Sequence, residues 1–201
     1  MNTALLESVQ QKAAHHYEVI DAFFSKNGQR VVDAAGAIAQ VYRNNGRLFA
    51  MGNGGSSCDA AHIAVEFLHP ITAGRPALTA IDLTADTAML TAVGNDVGFD
   101  HIFVRQVIAQ GRAGDGLIGL STSGNSQNLI KAFAKAREMR IITIGLAGMD
   151  GGEMVNCGLD HCLVVETDSI HRIQECHLAI YHILWDLVHT LLADDRGNLK
   201  T

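Results

Sequence analysis

Along the first part of the chain, apolar residues recur at three- and four-residue steps. Leu5, Leu6, Val9, Ala13, Tyr17, Ile20 and Phe24 are followed by Val31, Ala34, Ala35, Ile38 and Val41. That period belongs to helices with one buried stripe. The pair Asn27-Gly28 divides the stretch into two predicted helices, and Asn44-Asn45-Gly46 ends the second. Beyond it the pattern changes. Arg47 to Met51, Ala77 to Ile81, Gly116 to Ser121, Ile141 to Leu146 and Cys162 to Glu166 are short, almost wholly apolar runs. A half-exposed strand would alternate, so these five predict parallel strands covered on both faces. Helical patterns lie between them, clearest in "NSQNLIKAFAKAREM" (Asn125 to Met139), and a long helix is expected from about Ile170 to Leu192. The alternation predicts right-handed βαβ crossovers in an open α/β sheet.

The chain reads as one domain over residues 1–201, with a helical segment at 1–46 and an α/β core with its C-terminal helix at 47–193. No repeat or linker interrupts it, and the tail "ADDRGNLKT" is expected to fray. Charged residues make up 18% of the chain, against roughly 25% in typical soluble proteins. The surplus apolar surface predicts subunit contacts, hence a homo-oligomer. Net charge is −6, with Lys and Arg scattered, which argues against a nucleic-acid surface. No run reaches the ~18 apolar residues of a membrane span. Cys58, Cys157, Cys162 and Cys176 form no C-x-x-C pair, and "MNTALLESVQQ" has no signal-peptide pattern. Reduced thiols in a cytoplasmic protein are expected.

In an open α/β sheet, ligands gather beyond the carboxyl ends of the strands. Two loops of unusual composition fall there. "GNGGSS" (Gly52 to Ser57) matches neither G-x-G-x-x-G nor a Walker loop, so alone it marks a tight turn at a helix start. "STSGNS" is more informative: Ser121, Thr122, Ser123 and Ser126 put four hydroxyls where a strand hands over to a helix. A helix N-terminus adds free N–H groups and a positive dipole end, so an anion could be held without lysine. An ordinary N-cap accounts for Asn125 or Ser126, not for all four hydroxyls.

His62 and Glu66 stand four apart and share a helix face in the apolar context "AHIAVEF". A pair of this kind is more often a surface hydrogen bond than a site. In "HRIQECHLAIYH" (His171 to His182), Gln174 and His182 lie about 80° apart around the helix, while Glu175 is nearly eclipsed with His182. Spacing leaves Gln174 and Glu175 both open as companions of His182. None of these clusters is a zinc signature of the H-E-x-x-H kind.

Taken in order, "GNGGSS-DA-H---EF", "RPAL", "GND-GF", "GD-L-G-STSGNS-N-IKA---A", "G-DGG-M" and "RIQE-H----H" resemble the sugar isomerase (SIS) domain, specifically the bacterial phosphoheptose isomerase family. The match runs collinearly from about Gly46 to Leu192. The resemblance implies a three-layer α/β/α sandwich around a five-stranded parallel sheet, assembled as a cytoplasmic homotetramer with active sites between subunits. It implies conversion of sedoheptulose 7-phosphate to D-glycero-D-manno-heptose 7-phosphate through an enediol. By the same resemblance His62, Glu66, Gln174 and His182 correspond to a zinc-binding set, one ion per subunit, and Glu66 and His182 to the acid/base pair. Ser56, Ser121, Thr122, Ser123 and Ser126 correspond to phosphate and substrate contacts, with Asn53, Gly54, Gly55, Asp96 and Gln174 alongside. Two positions depart from the family pattern: Pro70 replaces an arginine, and His171 an acidic residue of some members. Both bear on the exact sugar more than on the reaction. Two relatives of the fold supply alternatives, a non-enzymatic tetramer that binds the replication initiator DnaA and a sugar-phosphate sensor.

Overall fold

The computed structural model describes residues 2–193, among which six α-helices surround one five-stranded parallel sheet. The elements run α1 (Asn2–Arg43), β1 (Leu48–Gly52), α2 (Gly55–Leu68), β2 (Ala80–Asp82), α3 (Thr87–Asp96), α4 (Ile102–Gln110), β3 (Gly116–Ser121), α5 (Gln127–Glu138), β4 (Ile142–Gly148), β5 (His161–Val165) and α6 (Ile170–Leu191). The strand order is β2-β1-β3-β4-β5. Chain direction across the sheet therefore reverses at β1, which opens a crevice between the carboxyl ends of β1 and β3. All five expected strands form, and the uniform apolarity that predicted two covered faces is explained by the packing. Leu48 and Ala50 of β1, Ile118 and Leu120 of β3, and Ile144 and Leu146 of β4 face α1, α2 and α6. Phe49 and Met51 of β1 and Leu117 of β3 point the other way, into a second core with α3, α4 and α5.

The two helices expected at the N-terminus are one. Asn27-Gly28 does not break α1, which continues for 42 residues. Asn27 is buried, and its Nδ2 donates to the Phe23 carbonyl one turn back, so its amide is satisfied inside the helix. Phe23, Val31, Ala34, Ala35 and Ile38 pack in the core with α6 and the sheet. Tertiary burial of this stripe outweighs the local cost of a glycine, about 1 kcal/mol against alanine. The tail expected to fray lies, from Asp194 on, outside the described residues. No helix among the described residues is long and apolar enough to cross a membrane.

At the amino ends of the strands, the buried Asp115 accepts from Arg47 and from the Arg112 amide, tying β1 to β3. Between α6 and β4, His177 is fully buried and donates from Nε2 to the Ala147 carbonyl at 3.1 Å. Burial pushes the imidazole pKa down to about 4, opposed by that hydrogen bond. A histidine with a depressed folded-state pKa stabilises the fold fully above its unfolded value near 6.5. That contribution is lost as pH falls towards 4. Folding stability should drop by about 3 kcal/mol across that window from this residue. Urea unfolding at several pH values should show a shallower acid dependence in His177→Gln, which keeps a donor but does not titrate.

Candidate active site

β1 ends in Gly52, and its loop turns into α2 through Asn53 and Gly54. Gly52 lies so close to this turn that a Cβ there would meet the Ser56 carbonyl at 2.2 Å. Ser56 is buried, and its amide donates to the Asn53 carbonyl at 3.0 Å. The helix begins at Gly55 with no side-chain cap. Across the crevice, β3 delivers Ser121 to Ser126. The Ser121 and Ser126 hydroxyls are 3.0 Å apart, and the Gly124 amide donates to Ser121 Oγ at 3.1 Å. Ser126 is the N-cap residue of α5, yet its hydroxyl accepts no bond from the helix. The ordinary cap therefore does not explain this serine.

A third loop braces the second. The Gly124 carbonyl accepts from the Met154 amide at 3.0 Å, and Asn125 Oδ1 accepts from the Glu153 amide at 2.9 Å. Asn53 and Asn128 exchange two amide hydrogen bonds, at 2.9 and 2.8 Å, locking the β1 and β3 loops together. Asn128 stands in the motif "STSGNS-N-IKA" with no role that the sequence reveals. Its signal is a buried polar residue between the apolar core positions of an otherwise amphipathic α5.

The second half of the site lies where α2 passes α6. His62 Nε2 is 3.2 Å from Glu66 Oε1, and the His62 and His182 rings meet edge to face, 5.0 Å between centroids. One donor atom from each of His62, Glu66 and His182 lies within 4.8 Å of the others, and all three residues are half-buried. Tyr181 holds the group from behind: its hydroxyl is 2.8 Å from His62 Nδ1 and 3.5 Å from Asp59 Oδ1. With Nδ1 so engaged, Nε2 is left to face Glu66. Burial lowers the His182 pKa, assisted by His62 and opposed by Glu66, which favours the neutral imidazole. Burial likewise raises Asp59, against the Tyr181 hydrogen bond and the His62 charge.

Two imidazoles and a carboxylate form a donor set known from catalytic zinc sites, which leave one position open. The close approach of these donors fits a metal ion. Gln174 belongs to the other end of α6. It precedes His182 by eight residues, about 12 Å along the axis, and a Cβ on Gly55 would meet its Nε2 at 2.3 Å. Within the chain its amide therefore sits at the glycine loop. Asp96 is exposed at the end of α3, where Oδ1 accepts from Asn95 Nδ2. Thr122 and Ser123 are half-buried in their loop. Along α2, Ser56 and His62 are six residues apart, about 9 Å, which spaces the loops from the imidazole–carboxylate cluster by a distance comparable to an extended sugar.

The SIS domain family model matches residues 13–148. The chain is 38% identical over 192 residues to the phosphoheptose isomerase of Sulfurimonas denitrificans, covering 94% of this chain and 98% of that one. Among solved structures it is similar to phosphoheptose isomerase from Neisseria gonorrhoeae, with 40% identity, a TM-score of 0.87, and coverage of 92% and 99% of the two chains. The phosphoheptose isomerase from Francisella tularensis superposes with a TM-score of 0.88 at 34% identity, covering 92% of this chain and 98% of that one.

Proposed function

The chain belongs to the phosphoheptose isomerase family of SIS domains, and on that premise we propose that it converts sedoheptulose 7-phosphate to D-glycero-D-manno-heptose 7-phosphate. The observation that carries this reading is the meeting of Glu66 with His182 beside His62, on the helix whose first turn adjoins the hydroxyl-lined crevice. Ser56, Ser121, Thr122, Ser123, Ser126 and the loop amides bind the phosphate, helped by the uncapped start of α5. Asn53, Gly54, Gly55 and Gln174 line the sugar, and Asp96 contributes from α3. Anchoring the far end fixes the reacting carbons against the acid and base.

Isomerisation of the ketose begins when the Glu66 carboxylate removes a proton from C1, leaving an enediolate that becomes the enediol on protonation of the C2 oxygen. Neutral His182 donates to the C2 oxygen and receives the proton from the C1 hydroxyl. Glu66 then returns its proton to C2, which completes the aldose. Each group ends in the protonation state in which it began. Zinc held by His62, Glu66 and His182 would supply a Lewis acid at the substrate oxygens, whereas Gln174, about 12 Å along α6 from His182, lies too far to join that set within one chain. We read the working form as a cytoplasmic homotetramer. A DnaA-binding scaffold or a sensor would need no base and imidazole held this close, so neither gains support from the cleft.

The test is incubation of the metal-loaded protein with sedoheptulose 7-phosphate, followed by NMR of the sugar. Aldose should accumulate, and chelation should slow it at least tenfold, with activity restored by zinc. A protein that forms no aldose in either state has another function.

A further inference from the structure

The carboxylate of Glu66 is held by its neighbours, but its backbone is held by something else. α2 ends at Leu68, so the carbonyls of Val65, Glu66, Phe67 and Leu68 lack partners within the helix. The His69 amide donates to Val65 and the Leu78 amide to Phe67, both at 2.8 Å. The Glu66 carbonyl is taken by an indole: Trp185 Nε1 donates to it at 2.8 Å. Trp185 follows His182 by three residues, and so shares its face of α6. One side of α6 thus touches the His62–Glu66 pair through an imidazole and grips the Glu66 backbone through an indole.

The indole is itself clamped. The Arg75 guanidinium lies over its ring at 4.4 Å and pairs with Asp186, the next residue of α6. Arg75 Nη1 is buried with no hydrogen-bond partner, so this side chain is committed to the stack. His189 meets the indole edge to face at 5.0 Å. The segment that leaves α2 at His69 therefore folds back through Arg75 and pins Trp185 against the helix end it has just left.

We propose that Trp185 is a positioning residue for Glu66: its N–H fixes the last turn of α2 at the spacing from α6 that catalysis requires. The assignment rests on the functional reading above, in which Glu66 is the base. Without the indole N–H the Glu66 carbonyl turns to water, the terminal turn loosens, and the carboxylate shifts from the carbon it must reach. A misplacement of about 1 Å can cost a hundredfold in rate. The phosphate loops lie at the opposite end of α2 and are untouched.

Trp185 is the chain's only tryptophan, so a tryptophan auxotroph fed benzothienylalanine replaces this indole alone. The analogue exchanges N–H for sulfur in a ring of nearly the same shape. We expect kcat to fall at least tenfold while KM for the sugar phosphate stays within twofold. Hydrogen exchange at the last turn of α2 should quicken by a similar factor. Trp185→Phe, which keeps a ring under Arg75, should show the same split. Faster exchange or a lower Tm with unchanged kcat would make Trp185 a structural cap and overturn the proposal, as would exchange and kcat that both stay at the parent values. If the parent protein itself isomerises nothing, the functional reading fails, and the exchange measurement still tests whether the indole holds this turn.

Discussion

Glu66→Gln should lower kcat by about 10²–10⁴-fold, the range general acid–base groups supply, with KM nearly unchanged. The substitution preserves size and leaves the Trp185 bond to the backbone carbonyl intact. Glutamine can still meet His62, now 3.2 Å from Oε1, so the helix pair should keep its packing. What is lost is the ability to take a proton from carbon. The loops proposed to bind phosphate are at the far end of α2, which is why KM should hold. Steady-state kinetics on the sugar phosphate, with circular dichroism to verify the fold, would decide it. A variant within twofold of the parent kcat removes Glu66 from the role of base.

The second large effect is expected at Gly124. Its φ is +67°, the left-handed region, and a Cβ there would meet the Gly151 carbonyl oxygen at 2.0 Å. The obstruction is backbone on both sides, held by the Met154 amide on the Gly124 carbonyl, so no side chain can swing aside. Left-handed strain of about 1–2 kcal/mol adds to overpacking of about 1–3 kcal/mol. Gly124→Ala should therefore lose about 2–5 kcal/mol of stability. The displaced loop should also lose its hold on phosphate, raising KM by at least tenfold at temperatures where the variant stays folded. Urea titration and kinetics together would test this, and an alanine variant with parental stability would show that the loop tolerates a Cβ. Glu66→Gln and Gly124→Ala thus separate the two halves of the site, one acting on kcat and the other on KM.

Much of the architecture could be read from the chain because burial on two faces leaves a simple mark. β3 was expected at Gly116 to Ser121 and forms there. β2 is shorter than the expected Ala77 to Ile81 and ends one residue later, at Ala80–Asp82, the stretch of the edge strand that pairs with β1. The N-terminal helices were misjudged because Asn27-Gly28 is a local turn signal, whereas the continuity of α1 comes from its contacts with α6 and β5, elements far along the chain.

The site was legible unevenly for the same reason. The hydroxyl loop follows from local composition. The pairing of His62 with Glu66 follows from helical spacing. That His182 should join them is a tertiary fact, since α2 and α6 are separated by nearly the whole sheet in sequence, and only family resemblance pointed to it. Tyr181 and Trp185 act on another side chain or on backbone, and such support carries no motif, while Asp59 and Asn128 fall inside the family motifs with no role of their own to read. Gln174 shows the limit of angular arguments: residues that share a helix face can still sit two turns apart, and its amide lies at Gly55.

The most direct measurement is isomerisation of sedoheptulose 7-phosphate by the metal-loaded protein in deuterated water, read by proton NMR of the aldose. Transfer through an enediol by a carboxylate open to exchange predicts deuterium at C2 of the product, at a rate that collapses in Glu66→Gln. Aldose formed without label at C2, or at the parental rate by the glutamine variant, would contradict the account.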